Sequence, residues 1–209
     1  MHGPSEPRKS PPFPIPITPV ASGTTPNPAM QESPWEEKFQ LLIRFGKERN
    51  WGEVLKILTD LSTSRRFPHT SKAVAQRAWV ALKSDVPAIA VVTALREVVM
   101  TIGPQHELAG PMGALAYFLA RHRKGNEPER EFAVAQAQQM LHLICEFQKV
   151  PEGNQAFKDW VNANRLENPD YYLPKVIDGL EVMVLGDWWF DRQALQEELN
   201  AVNQRSAAQ

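Results

Sequence analysis

The sequence predicts an all-α fold, a compact helical bundle or short α-solenoid of antiparallel helix hairpins, behind a disordered proline-rich N-terminal tail. Three observations predict it. Apolar residues recur at i, i+3 and i+4 along most of the chain after Pro34, and strict alternation never persists over a strand length. Cap residues precede these apolar runs, often with a glutamate three positions on, and glycine or proline follows them. Ten of the eighteen prolines fall between Pro4 and Pro34, where a fixed φ and a missing N–H stop helix and sheet alike.

The elements follow in order. Residues 1–33 are expected to be disordered and partly polyproline II. Ser33-Pro34-Trp35-Glu36 has the form of a capping box, and its helix carries Trp35, Phe39, Leu42, Ile43 and Phe45 to about Arg49. Asn50, with Glu53, caps a second helix whose apolar face is Val54, Leu55, Ile57, Leu58 and Leu61. So short a link requires the two to lie antiparallel. Ser71 is expected to cap a helix with Val74, Ala75, Ala78, Trp79 and Leu82. Asp85 and Pro87 open the next, with Ile89, Val92, Leu95, Val98 and Val99, and Gly103-Pro104 ends it. Pro111 begins a helix with Leu115, Tyr117, Phe118 and Leu119, whose last turn is basic and ends at Gly125, as the helix dipole favours. Asn126 and Glu129 start the longest helix, to about Val150, with Phe132, Met140, Leu141, Ile144 and Phe147 as its core. A shorter helix holds Phe157, Trp160 and Val161. Asn168-Pro169-Asp170 reads as a loop, Pro174 as the start of a helix broken by Gly186, and Trp188 to Asn203 as the last helix. The helical domain is expected to span 34–204, with 205–209 frayed.

Residues 41–61, LLIRFGKERNWGEVLKILTDL, resemble the hairpins of tetratricopeptide- or pentatricopeptide-type repeats at Leu42, Trp51, Glu53 and the Val54 to Leu58 run. A second hairpin places Val91, Val92 and Leu95 near the positions of Leu55 and Leu58, and later segments lose the register. The resemblance implies helical hairpins, not membership of the family or RNA binding.

Composition bounds function. The chain is 209 residues long and 43% hydrophobic, enough for a packed core. Its 23 basic and 24 acidic residues give a net charge of −1, which argues against a nucleic-acid partner bound through phosphates. Cys145 is the single cysteine, so no intramolecular disulfide and no cysteine zinc cluster can form; a reducing, cytoplasmic location is expected. No apolar run approaches the ~18 residues of a membrane span, and the proline-rich start is unlike a secretory signal.

No recognised catalytic pattern occurs, and no cofactor is expected. His106-Glu107 opens like a zinc-protease helix, but Gly110 stands where the second histidine belongs. Gly46-Lys47 lacks the upstream glycine of a phosphate loop. His142 and Cys145 share a helix face, yet Cys145 among Leu141, Leu143 and Ile144 reads as a small core residue and not as a metal ligand. For an enzyme with an unrecognised site, the candidate acids and bases are His106, Glu107 and His142. Arg121, Arg123 and Lys124 are candidates for anion contact, although a helix C-terminus equally explains them.

Two features favour partner binding. In Asp187-Trp188-Trp189-Phe190-Asp191, helical geometry would spread three aromatics over about 200°. Trp188 then aligns with Leu195 and Leu199 as core, leaving Trp189 and Phe190 as interface anchors or as filling between the last two helices. In the tail, Arg8-Lys9-Ser10-Pro11-Pro12-Phe13-Pro14 places Pro11 and Pro14 at PxxP spacing after basic residues. The expected function is non-enzymatic: an adaptor or accessory regulator or inhibitor that binds a larger protein partner. A helical-repeat nucleic-acid-binding protein and an enzyme are the alternatives.

Overall fold

The computed structural model describes residues 34–64, 69–123 and 125–207. The expected tail, with Pro11 and Pro14, lies outside these residues, as does Lys124. Among the described residues there are nine α-helices and no strand: α1 (Pro34–Lys47), α2 (Trp51–Ser62), α3 (His69–Lys83), α4 (Ala88–Ile102), α5 (Ala109–His122), α6 (Glu127–Phe147), α7 (Asn154–Ala163), α8 (Pro169–Val184) and α9 (Arg192–Ala207).

Local chemistry sets most boundaries. Asn50 Oδ1 accepts the Glu53 N–H at 3.3 Å and Asn126 Oδ1 accepts the Glu129 N–H at 2.9 Å, so both expected caps satisfy a donor that has no intrahelical partner. Helix α3 begins at His69, two residues before the expected Ser71. Helix α5 begins at Ala109; Pro111 falls in its first turn, where a missing N–H breaks no intrahelical bond. Asn168-Pro169-Asp170 is not a loop but a helix start: Asn168 Oδ1 accepts the Asp170 N–H at 3.0 Å and Pro169 is the first helical residue. Pro174 therefore lies inside α8 and not at its start. Helix α9 runs through Ala207, past the boundary expected at 204.

Each helix from α1 to α5 packs on the next in sequence, as hairpins do, and α6 also reaches α4. The chain then turns back: α8 lies against α3 and α5, and α9 meets α3. That return closes a bundle. Helix α3 is its axis, buried continuously from Ala73 to Ala81. Ala73, Ala75, Ala78 and Ala81 let neighbours approach on every side, which a helix with one apolar stripe does not allow. The buried Arg77 pairs with Glu97 of α4, the partner that a buried charge requires.

Two sequence expectations are corrected by packing. In α6 the buried stripe is Ala133, Ala137, Met140 and Ile144, while Phe132 and Phe147 are 58% and 52% exposed. Close packing selects the small side chains: a Cβ on Gly113 of α5 would stand 2.7 Å from Leu141 and 2.9 Å from Ile144. The tryptophan segment, expected within the last helix, is not helical. Leu185 (φ 55°) and Gly186 (φ 76°) end α8 in the left-handed region. Asp191 then starts α9, its Oδ1 accepting the N–H of Gln193 at 2.9 Å and of Ala194 at 3.3 Å.

The extended segment between them is held by Gln76, a fully buried amide whose Oε1 accepts the Trp189 N–H at 2.9 Å. Freed from the 100° helical step, the aromatics diverge. Trp189 meets Phe39 and Trp35 edge-on at 5.4 and 6.0 Å. Phe190 packs on Trp51 at 5.9 Å and against Trp79, its Cβ so near Gly46 that a methyl there would come within 2.9 Å. Trp188 is half-buried between Trp79 and the Arg192 guanidinium. Trp189 and Phe190 are only 7% and 8% exposed. The expected surface anchors are core, and Trp188 is the most accessible of the three. They fill the space between this segment and α1, α2 and α3, not the junction of the last two helices.

Candidate functional site

Helix α7 is the odd element. It carries a sharply segregated apolar face, Phe157, Trp160 and Val161, yet contains no buried residue. It belongs to none of the closely packed helix pairs. Polar ties and two backbone turns hold it in place. The Trp160 indole donates to Gln148 Oε1 at 3.0 Å, and Gln148 Nε2 donates to the carbonyls of Pro104 and His106, each at 3.3 Å. Trp160 also sits over Gly110, where an added Cβ would come within 3.3 Å. Gly153 (φ 118°) and Arg165 (φ 52°) turn the chain at its two ends.

The apolar face of α7 lines an open groove of about 1250 Å³. Helix α5 contributes Ala114, Tyr117, Phe118 and Arg121, and α6 contributes Gln138, Leu141, His142 and Cys145. Both sets follow i, i+3, i+4, i+7, and α7 follows i, i+3, i+4, so three helices each turn a full stripe toward the same space. Leu166, before α8, and Pro169 and Tyr172 in its first turn close another side. Phe118 and Phe157 remain 39% and 40% exposed.

Charge is distributed along the groove by end. Arg121 and His122 lie in the last turn of α5. The Arg121 guanidinium lies over the Tyr117 ring and donates to its hydroxyl at 3.3 Å; the His122 ring packs against Phe118 in a tilted contact at 4.6 Å. Glu146, Glu152 and Glu167 are the acidic residues of the lining. Among the described residues, none of these three nor Arg121 has an ion-pair partner.

The groove gathers some expected residues and excludes others. Arg121 lines it, but Arg123 turns inward and donates to the carbonyls of Ala81, at 3.1 Å, and Ser84. Burial pulls the Arg123 guanidinium below its ordinary pKa, while Asp85 opposes the shift. It neutralises the end of α3 and is not placed for an external anion. His142 and Cys145 both line the groove, but burial pushes the Cys145 thiol up; an activated nucleophile needs the opposite shift. His106 is outside the groove, its Nδ1 accepting the Leu108 N–H at 3.1 Å, and Glu107 is also absent from the lining. Among the described residues, no three His, Cys, Asp or Glu groups converge as metal ligands, and no helix is long and apolar enough to cross a membrane.

The sequence showed the α5 and α7 apolar residues but not that they face a shared void. The available signal was α6. A 21-residue helix with apolar side chains on more than one side has more than one neighbour. Compared with known proteins, the chain matches no family model, no curated protein and no solved structure.

Proposed function

We propose that this chain is a non-enzymatic interaction protein, an adaptor or an accessory regulator or inhibitor, which holds a larger protein partner in the groove between α5, α6, α7 and α8. The observation that carries the reading is α7. An amphipathic helix gains little by folding unless its apolar face is covered, and Phe157, Trp160 and Val161 leave no residue of α7 buried in the free chain. A protein surface docked there would cover that face together with Phe118 and Tyr117, the aromatic residues that typically anchor interfaces.

A photo-crosslinking amino acid tests this when placed singly at position 157, or at Val182, exposed on α8 outside the groove lining. In cells that make the protein, a discrete protein adduct is expected from position 157 and not from position 182. Equal adducts from both positions, or none from 157, would contradict the proposal.

A further inference from the structure

We infer that the occupant of the groove is an amphipathic α-helix of the partner, laid with its N-terminal end toward Glu146, Glu152 and Glu167 and its C-terminal end toward Arg121 and His122. The inference rests on the docking function proposed above and adds the partner's form and polarity.

The form follows from the stripes. Faces spaced i, i+3, i+4, i+7 on α5 and α6 leave between them the ridged surface into which another helix's side chains fit. Length agrees. Helices α5 and α6 meet at Gly113, beside Leu141 and Ile144. Counting ~1.5 Å of rise per residue from there separates Arg121 from Glu146 by roughly 17 Å, about three turns of a bound helix.

The polarity follows from charge. Leu166 packs on Gly110 in the first turn of α5 and places the adjacent Glu167 at that end. Glu146 lies in the last turn of α6, and Glu152 in the connection that follows it. Three carboxylates therefore stand at the α5 N-terminal end of the groove, and the Arg121 guanidinium stands at its C-terminal end. A bound helix carries about half a positive charge at its N-terminus and half a negative charge at its C-terminus, and only one of its two orientations matches both ends. A fatty acid would satisfy Arg121 but lay its apolar tail among three carboxylates.

The probe is a phage-displayed library of 16-residue helices, apolar at i, i+3, i+4 and i+7 and varied elsewhere over Lys, Glu, Gln and Ser. It is panned on the full chain and counter-selected on Phe157→Glu, whose folding is checked by thermal melting. Because Cys145 is the only cysteine and lines the groove, protection of its thiol from labelling reports occupancy at that site. The expected result is enriched peptides that protect Cys145, with basic residues toward their N-terminal half and acidic residues toward their C-terminal half. Arg121→Glu is expected to weaken them about fivefold or more.

Protecting peptides with no charge bias, or the reverse bias, would overturn the polarity and leave the groove as a docking site. No clone that distinguishes the full chain from Phe157→Glu would overturn the helical occupant, whereas the crosslinking experiment tests docking independently of the partner's form. Protection of Cys145 by dodecanoate without any helical binder, or self-association abolished by Phe157→Glu, would put a lipid or a second copy in the groove and overturn the inference.

Discussion

Gln76 shows how one side chain redirects a segment that local pattern assigns elsewhere. Its buried amide accepts the Trp189 N–H, so the peptide group that helical periodicity would commit to α9 is bonded across the core. Gln76→Leu keeps the volume and leaves that N–H unsatisfied. A loss of about 1–3 kcal/mol is expected in urea unfolding, and an unchanged midpoint would remove Gln76 from this role. Gly46 is the matching case of space. Read in sequence, it resembled a fragment of a phosphate loop; in the structure it makes room for the Phe190 Cβ. Gly46→Ala is expected to destabilise by roughly 1–3 kcal/mol through overpacking, despite alanine's better helix propensity. Neither contact was legible in sequence, because each joins positions more than a hundred residues apart and leaves no periodic trace. Cys145, expected in the core, is instead half-buried in the groove lining. Desolvation raises its pKa, so at pH 8 its thiol should label more slowly than glutathione, accelerating as pH rises through its elevated pKa. Labelling as fast as the free thiol would contradict the burial.

At the scale of elements, caps were the most readable signals and start sites the least. Asn50 and Asn126 bond as their sequence context implies. At Asn168 and Asp191 the same chemistry is hidden in sequence, because Pro169-Asp170 suggests a loop and the neighbouring tryptophans suggest helix. A cap acts through its own backbone angle, which composition does not display. Asp191→Ala is therefore expected to cost about 0.5–2 kcal/mol and to speed amide exchange mainly in α9. Uniform acceleration throughout the chain would show instead that the residue supports the global fold. Helix α6 teaches the complementary lesson. The large apolar residues Phe132 and Phe147 stood out in sequence, yet alanines occupy the buried stripe. Where helices approach closely, small side chains gain dispersion contacts with the neighbouring backbone that a phenylalanine's bulk prevents.

Across the whole molecule, the all-α class and hairpin order were legible, because both rest on local periodicity and short links. The return of α8 onto α3 and α5 was not, since nothing local specifies which distant faces meet. The candidate site shifted for the same reason. The Trp188 to Phe190 cluster, the apparent apolar surplus, packs into the core, and the modest helix α7 instead turns a partly exposed apolar face to the groove. This division of apolar residues between core and groove is the account's central claim, and equilibrium denaturant unfolding of Trp189→Ala beside Phe157→Ala tests it most directly. The account predicts a loss of about 3–5 kcal/mol for Trp189→Ala, a large side chain removed from a packed interior, and a loss below about 1.5 kcal/mol for Phe157→Ala, whose ring is 40% exposed. A stable Trp189→Ala protein beside a strongly destabilised Phe157→Ala protein would contradict it.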